Sequence, residues 1–302
     1  MKPPPLGYSR PESAAEALAT LAALGPGAKV LAGGQSLLPL LSMRLAAPTH
    51  LVDINRLADL GYVRVADGQV RVGALARHAQ VLASPAAAQA QPLLAKALRF
   101  VAHPAIRNRG TTVGSIVHAD PAAEMPAVLA LLAGSVRLAS QGTERLVPAG
   151  EFFLGPLESA IRHGELATEV LFPALSPAVG TGFAEVSRRR GDYAVCGVAA
   201  LVRLGAGGRV ARARAAYLSV APCPLVLDLT DAVAGAPADS SAFPGAAELA
   251  RQQLDPGTDV HATASYRRHL AGVLTERALL EALGEARERS AEMPVQEARG
   301  RG

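Results

Sequence analysis

The sequence predicts an α+β protein of about two domains, and three observations predict it. Its 302 residues, at roughly 150 residues per domain, suggest two. Residues 29–54 run strand, glycine turn, short helix, strand, the order of a parallel βαβ unit. Alternating stretches at 62–75 and 195–220 read as antiparallel hairpins, interspersed with helical stretches.

Taken in order, residues 12–24 (ESAAEALATLAAL) read as a short amphipathic helix with Ser9 or Ser13 near its start, stopped by Gly25-Pro26-Gly27. Residues 29–32 are a buried strand, 37–41 are helical, and 49–54 are a second strand. Asp67-Gly68 is a strong turn signal inside the hairpin at 62–75. Helices are expected at 76–83 and 92–101, an irregular stretch at 103–121, and a buried helix at 122–132. Residues 136–138 and 144–147 suggest another small hairpin, and 169–173 (EVLFP) ends the first region. Residues 176–182 (SPAVGTG) are a turn-rich linker candidate. Beyond it come a strand at 183–186, a hairpin turning at 205–208, and helices at about 244–254 and 262–283. The charged, glycine-terminated tail from Glu285 is expected to be frayed or disordered. No internal repeat is visible.

Composition narrows the function classes. Apolar residues are 50% and charged residues 19%, so a packed core is expected and global disorder is excluded. A net charge of +4 is spread too thinly to argue for nucleic acid. Two cysteines, Cys196 and Cys223, exclude a disulfide framework. They also exclude a self-contained iron–sulfur cluster, which needs about four thiolates. No run reaches the roughly 18–20 apolar residues of a membrane span, and the N-terminus lacks the apolar stretch of a signal peptide. The cytoplasm is therefore the expected compartment.

Three segments carry chemistry. In the first, a strand delivers the chain to Gly33-Gly34-Gln35-Ser36 and then to a helix start. Consecutive glycines let backbone N–H groups approach a ligand closely, and the helix start adds partial positive charge, which suits a phosphate. Read alone, the segment is also a tight turn, the commoner origin of so short a motif. Neither GxGxxG nor GxxxxGK[ST] occurs, so a bound nucleotide would sit on another scaffold.

The second segment, residues 107–124 (RNRGTTVGSIVHADPAAE), sets the hydroxyls of Thr111, Thr112 and Ser115 around Gly110 and Gly114. Hydroxyls and backbone N–H groups suit phosphate oxygens, and the carboxylates of Asp120 and Glu124 suit the vicinal hydroxyls of a ribose. Asp120 followed by Pro121 also reads as an N-cap with proline at the first helical position. His118, Asp120 and Glu124 are metal-ligand types, but without a second histidine or a usual spacing no metal is assigned. In the third segment, Arg188-Arg189-Arg190 reads as a solvated strand end or an interface, and Tyr193 as half-buried packing or a stacking platform. GxSxG, HExxH and CxxC are all absent from the sequence, which weighs against a self-sufficient hydrolase or metalloenzyme. No catalytic acid, base or nucleophile is assigned.

Read together, AGGQSLLPLLSMRLAAPTHLVDINRL and, about 55 residues later, RNRGTTVGSIVHADPAAEMPAVLALL resemble the FAD-binding medium subunit of the molybdenum hydroxylases. That group includes carbon monoxide dehydrogenase and xanthine dehydrogenase. VGALARHAQV, EFFLGPLESAIRHGELATEVLFP, SRRRGDYAVCGVAALV and HATASYRRHLAGVLTERAL agree in order and spacing. The resemblance covers about residues 8–286.

The resemblance implies an FAD-binding domain of the PCMH/VAO-like type at 1–176, in two subdomains at about 1–57 and 58–176. A smaller domain at 177–286 would carry a three-stranded antiparallel sheet beside helices, leaving 287–302 as a disordered tail. It further implies that Ala32, Gly33, Gly34, Gln35, Ser36 and Leu37 cradle the FAD pyrophosphate. Thr111, Gly114 and Ser115 would form a second phosphate-side loop. His118 and Glu124 fall where the family contacts the dinucleotide, Glu124 near the adenosine ribose, with Asp120 as a neighbour. Tyr193 falls beside the isoalloxazine ring, next to Asp192.

The implied function is division of labour. A large subunit holds the molybdenum cofactor and a small subunit holds 2Fe-2S clusters. This chain would bind FAD noncovalently, accept electrons from those clusters and pass them to an outside acceptor such as a quinone, NAD or oxygen, within a dimer of heterotrimers. One departure stands out: the family commonly reads T-[IV]-G-G where this chain reads Thr111-Thr112-Val113-Gly114. A β-branched Val113 must either keep φ < 0 or weaken flavin binding. The region 222–235 also matches poorly. The alternatives are a flavin-poor structural subunit, which Val113 favours, and a free-standing flavin oxidoreductase.

Overall fold

Ser13, not Ser9, starts the first helix. Its hydroxyl accepts a hydrogen bond from the Glu16 N–H at 3.1 Å, and Gly25, at φ +64°, ends Ala14–Leu24. In this computed structural model, which describes residues 2–237, 239 and 243–291, that helix packs beside a three-stranded parallel sheet. Its strand order is Gly7–Ser9, His50–Asp53, Ala28–Leu31. The βαβ unit is thus present, with Leu37–Ser42 as its short helix.

A five-stranded antiparallel sheet follows, in the order Val63–Ala66, Gln69–Gly73, Leu166–Pro173, Ser135–Ser140, Thr143–Pro148. Asp67 and Gly68 both take positive φ, +52° and +69°, which matches the turn to the right-handed twist of the hairpin. At the centre of the sheet Glu169, 2% exposed, accepts from the Tyr62 hydroxyl at 2.7 Å, Arg71 Nε at 2.9 Å and Arg137 Nε at 3.2 Å. Burial opposes its ionisation, but these donors outweigh it and hold the carboxyl below the usual range.

Between the sheets the chain makes short helices. Pro85–Ala90 and Pro104–Arg107 were not expected; each starts with proline at the first turn, where no N–H is needed. The expected helix at 92–101 ends at Leu98. The stretch 103–121, expected to be irregular, contains the helix Thr112–His118.

The second region is a four-stranded antiparallel sheet, Val179–Ser187, Ala194–Leu204, Val210–Leu218, Leu225–Asp228, in sequence order. The first strand, expected only at 183–186, runs from Val179, the next two fall where the second hairpin was expected, and Leu225–Asp228 from the poorly matching region makes four strands where the resemblance implied three. Both faces of the sheet are covered. Ala199, Ala216 and Leu218 join the core of the first region, while Val198, Ala200, Ala215 and Tyr217 join a second core against the long helix Ala264–Ala291. Burial on both faces is why Ala194–Leu204 is apolar along nearly its whole length.

Two expectations are corrected here. The linker candidate 176–182 already enters the strand Val179–Ser187. Gly180 and Gly182 are not turn residues: a β-carbon on either would collide with the Ala282 or Ala278 carbonyl, so they let the strand lie directly against the helix. The tail expected to fray from Glu285 is helical to Ala291; the rest of it, 292–302, lies outside the described residues. Among the described residues no helix is long and apolar enough to cross a membrane.

Candidate functional site

The first loop leaves the strand Ala28–Leu31 with its carbonyls engaged. Asn55 Nδ2 donates to the Ala32 oxygen at 2.8 Å, Gln35 Nε2 to the Gly33 oxygen at 3.1 Å, and the Leu38 N–H to the Gly34 oxygen at 3.0 Å. The N–H groups of Gly33, Gly34, Gln35 and Ser36 have no acceptor among the described residues. Gly34 takes φ +71°, the backbone that only glycine adopts freely. Ser36 precedes Leu37–Ser42 but its hydroxyl makes no capping bond, because its backbone is already helical. The loop is therefore a row of donors without acceptors, the arrangement that suits an anion.

The second loop also has its carbonyls engaged, but unlike the first its Gly110, Thr112, Gly114 and Ser115 N–H groups already donate within the protein. Arg77 Nη1 donates to the Arg109 oxygen at 2.7 Å and the His78 N–H to the Gly110 oxygen at 3.0 Å. Thr111, not Asp120, is the N-cap in this segment: its hydroxyl accepts from the Gly114 N–H at 3.1 Å and starts Thr112–His118. Asp120 Oδ1 instead accepts from the Ala122 N–H at 2.8 Å, an Asx turn that leaves Pro121 outside the next helix, Glu124–Leu131. A β-carbon on Gly114 would fall 2.5 Å from Thr111 Oγ1, so a larger residue there would have to displace the capping hydroxyl. Val113 sits inside the helix with negative φ and is 2% exposed, so it imposes no backbone strain. That removes the ground on which Val113 favoured a flavin-poor subunit.

The two loops meet. A β-carbon on Gly33 would lie 2.6 Å from the Arg109 oxygen, 2.7 Å from Gly110 Cα and 3.0 Å from the Thr111 nitrogen. Beside this contact opens a cavity of about 520 Å³, within the size range of cofactor sites. Residues 32–37 line one wall, Thr111, Gly114, Ser115 and His118 another, and Asp120 and Glu124 a third. The turn before the strand Ala194–Leu204 supplies Asp192 and Tyr193 across the seam between regions. Every residue that the resemblance assigned to FAD thus lines one cavity; Thr112, buried against the His78 ring, and Arg188, Arg189 and Arg190 do not. Ala102 and Leu157, also on its wall, hold φ of +42° and +59°, strained values for residues with side chains.

The Tyr193 turn is held from both sides. A β-carbon on Gly191, φ +82°, would fall 2.6 Å from the His103 ring, so the two loops touch there. Arg188 Nη2 lies 3.6 Å from Asp192 Oδ2. Tyr193 itself is 70% exposed, not half-buried as its residue type suggested, and is available to a flat ligand.

Burial sets the electrostatics. It pushes the Glu124 carboxyl well above the usual range, with Asp120 adding to the effect. It does the same to Glu185 on the neighbouring strand, with Glu124 adding. It lowers His118 against the opposing pull of Asp120, and it lowers His78 to about 4. The Cys196 thiol is raised to about 12 by burial, which makes it inert. Among the described residues no group of three or more His, Cys, Asp or Glu is placed to hold a metal ion.

The family comparison decides the rest. Residues 4–175 match the FAD binding domain in molybdopterin dehydrogenase, and residues 181–282 the CO dehydrogenase flavoprotein C-terminal domain. The chain belongs to the FAD-binding medium subunits of the molybdenum hydroxylases. It is 41% identical to the 6-hydroxypseudooxynicotine dehydrogenase complex subunit alpha of Paenarthrobacter nicotinovorans, covering 95% of this chain and 97% of that one. It is 35% identical to the carbon monoxide dehydrogenase medium chain of Hydrogenophaga pseudoflava, covering 92% and 97%. The structure of quinoline 2-oxidoreductase from Pseudomonas putida 86 superimposes with a TM-score of 0.88 at 38% identity, covering 95% of this chain and 99% of that chain.

For a medium subunit, sequence reasoning missed the residues behind the loops. Asn55, Arg77 and His78 lie within blocks that carry the resemblance, but their roles arise from contacts between segments far apart in the chain.

Proposed function

We propose that this medium subunit accepts electrons from the 2Fe-2S clusters of a small partner subunit and passes them through FAD to an external acceptor. A large partner subunit would hold the molybdenum cofactor, and the complex would be a cytoplasmic dimer of heterotrimers. The observation that supports the reading is the meeting of two glycine loops at one cavity, the first with its N–H groups unclaimed among the described residues and the second bringing the Thr111 and Ser115 side chains to the same lining. Bound FAD supplies the exchange between single electrons and pairs.

In this reading the chain binds, orients and shields. The unclaimed N–H groups of Gly33, Gly34, Gln35 and Ser36 fit pyrophosphate oxygens, and a β-carbon at Gly33 or Gly114 would intrude on the loops that hold them. Ala32 and Leu37 flank that cradle, and Thr111, Gly114 and Ser115 face it from the second loop. Glu124, His118 and Asp120 would meet the adenosine side. Tyr193, with Asp192 beside it, would lie along the isoalloxazine. No residue acts as a general base, because transfer from a cluster to a flavin needs proximity and not proton abstraction.

The reading is tested by supplying a reductant to the FAD-loaded chain alone and then with partner subunits carrying iron–sulfur clusters. Bleaching of the flavin absorbance only with the partners supports it. Turnover of an organic reductant by the chain alone makes it a free-standing oxidoreductase.

A further inference from the structure

Outside the cavity lining, a polar chain joins the two loops. Asn55 Nδ2 donates to the Ala32 oxygen of the first loop at 2.8 Å. Arg77 Nη2 donates to Asn55 Oδ1 at 2.7 Å, and the same guanidinium donates through Nη1 to the Arg109 oxygen of the second loop at 2.7 Å. Neither side chain lines the cavity. Both are anchored elsewhere. Asp53 Oδ1 accepts from the Asn55 N–H at 2.9 Å and from its side chain at 2.7 Å, and the Tyr8 hydroxyl donates to the other oxygen of Asp53. The Arg77 backbone bridges to Thr111, and its N–H donates to Gln80 Oε1 at 2.8 Å.

We propose that Asn55 and Arg77 are positioning residues: a hydrogen-bonded clasp that holds the two glycine loops in the mutual register that FAD binding needs. The proposal rests on the reading that these loops take the dinucleotide. Where the loops touch directly, Gly33 meets Arg109–Thr111 without a side chain, so that contact alone has little directional preference. The clasp supplies the direction. It also engages the Ala32 and Arg109 oxygens, acceptors that would repel a phosphate. A guanidinium spanning a side-chain amide and a main-chain carbonyl is rigid and charge-assisted, so the loops are set before the ligand arrives.

The test is FAD affinity of the full chain by quenching of flavin fluorescence, for wild type, Asn55→Ala, Arg77→Ala, Arg77→Lys and the Asn55→Ala/Arg77→Ala pair. Each alanine change should weaken binding about tenfold, the scale of one charge-assisted hydrogen bond. The pair should be no weaker than the worse single change, because either break opens the whole clasp. Arg77→Lys, which keeps the charge but one donor direction, should fall between. The circular dichroism bands of the bound flavin should change in the alanine variants. Singles within twofold of wild type, or effects that multiply in the pair, overturn the clasp. Should Arg77→Ala not fold, Arg77→Lys and Asn55→Ala decide the matter by the same criteria. A wild-type chain that binds no FAD contradicts the loop reading itself, a different failure.

Discussion

Gly33 and Gly110 lie backbone to backbone: a β-carbon added to Gly33 would come within 2.7 Å of the Gly110 Cα. The neighbouring atoms are main chain and cannot swing aside, so Gly33→Ala forces the two loops apart. Overpacking of this kind costs about 1–3 kcal/mol, and FAD affinity should fall by about tenfold or more. Gly257→Ala, where a β-carbon meets nothing within 4 Å, is the control and should bind FAD as wild type does. Equal affinity in the two variants, read by fluorescence titration, would mean that the contact is irrelevant to the cofactor.

Glu185 gives a pH signature. Its Oε2 is buried with no hydrogen-bond partner among the described residues, and burial with Glu124 nearby raises its carboxyl from 4.5 to about 8. The folded state therefore holds the proton more tightly than the unfolded chain. Stability is fully present below pH 4.5 and is lost as pH rises through about 8. Glu185→Gln should flatten that loss and raise stability at alkaline pH by about 1–3 kcal/mol. Thermal unfolding across pH 5 to 9 checks it; parallel curves for the two proteins would contradict it.

His78 gives the opposite sign. Burial, with the Arg107 charge adding, lowers its ring from 6.5 to about 4, while ring Nδ1 lies 3.1 Å from Thr112 Oγ1. Here the unfolded chain holds the proton more tightly. Stability is present above pH 6.5 and is lost as pH falls toward 4. The His78 ring resonances should therefore stay those of neutral imidazole from pH 8 down to 5.5. A midpoint near 6.5 in the NMR titration would place the ring in solvent.

Lys96 fastens the two regions together. From the helix Pro92–Leu98 it donates to the Thr181 oxygen at 2.5 Å and to Glu285 Oε2 at 2.9 Å, and pairs with Glu281 Oε1 at 2.9 Å. Lys96→Met keeps the aliphatic stem and removes only these bonds. Leaving two carboxylates and a carbonyl without their cation should cost about 1–3 kcal/mol and lower the calorimetric melting temperature by several degrees. An unchanged melting temperature would show that the apolar seam, including the Phe100–Phe183 ring contact at 5.2 Å, holds the regions unaided.

The legible parts of this molecule were local. The glycine pair at 33–34, the Asp67-Gly68 turn and the long C-terminal helix announce themselves because a few adjacent residues determine the backbone. Thr112–His118 was hidden because threonine, glycine and serine are weak helix formers, and the helix depends on Thr111 capping and on burial of Thr112, Val113 and Ile116. Asp120-Pro121 imitates a helix start, yet the Asx turn wins. Gly180 and Gly182 imitate a linker, because a glycine that admits a helix looks the same in sequence as one that turns the chain. The clasp from Asn55 to Arg77 is legible in neither of the blocks that hold these residues, since its partners lie 22 and 32 residues apart.

Hydrogen–deuterium exchange of the full chain with increasing FAD bears most directly on the claim that both loops grip one dinucleotide. The amides at 33–36 lack acceptors among the described residues, so a ligand that claims them must slow their exchange. Peptides covering 32–37 and 110–115 should gain protection together, with the same FAD midpoint. Protection of one loop without the other, or of neither, contradicts the account.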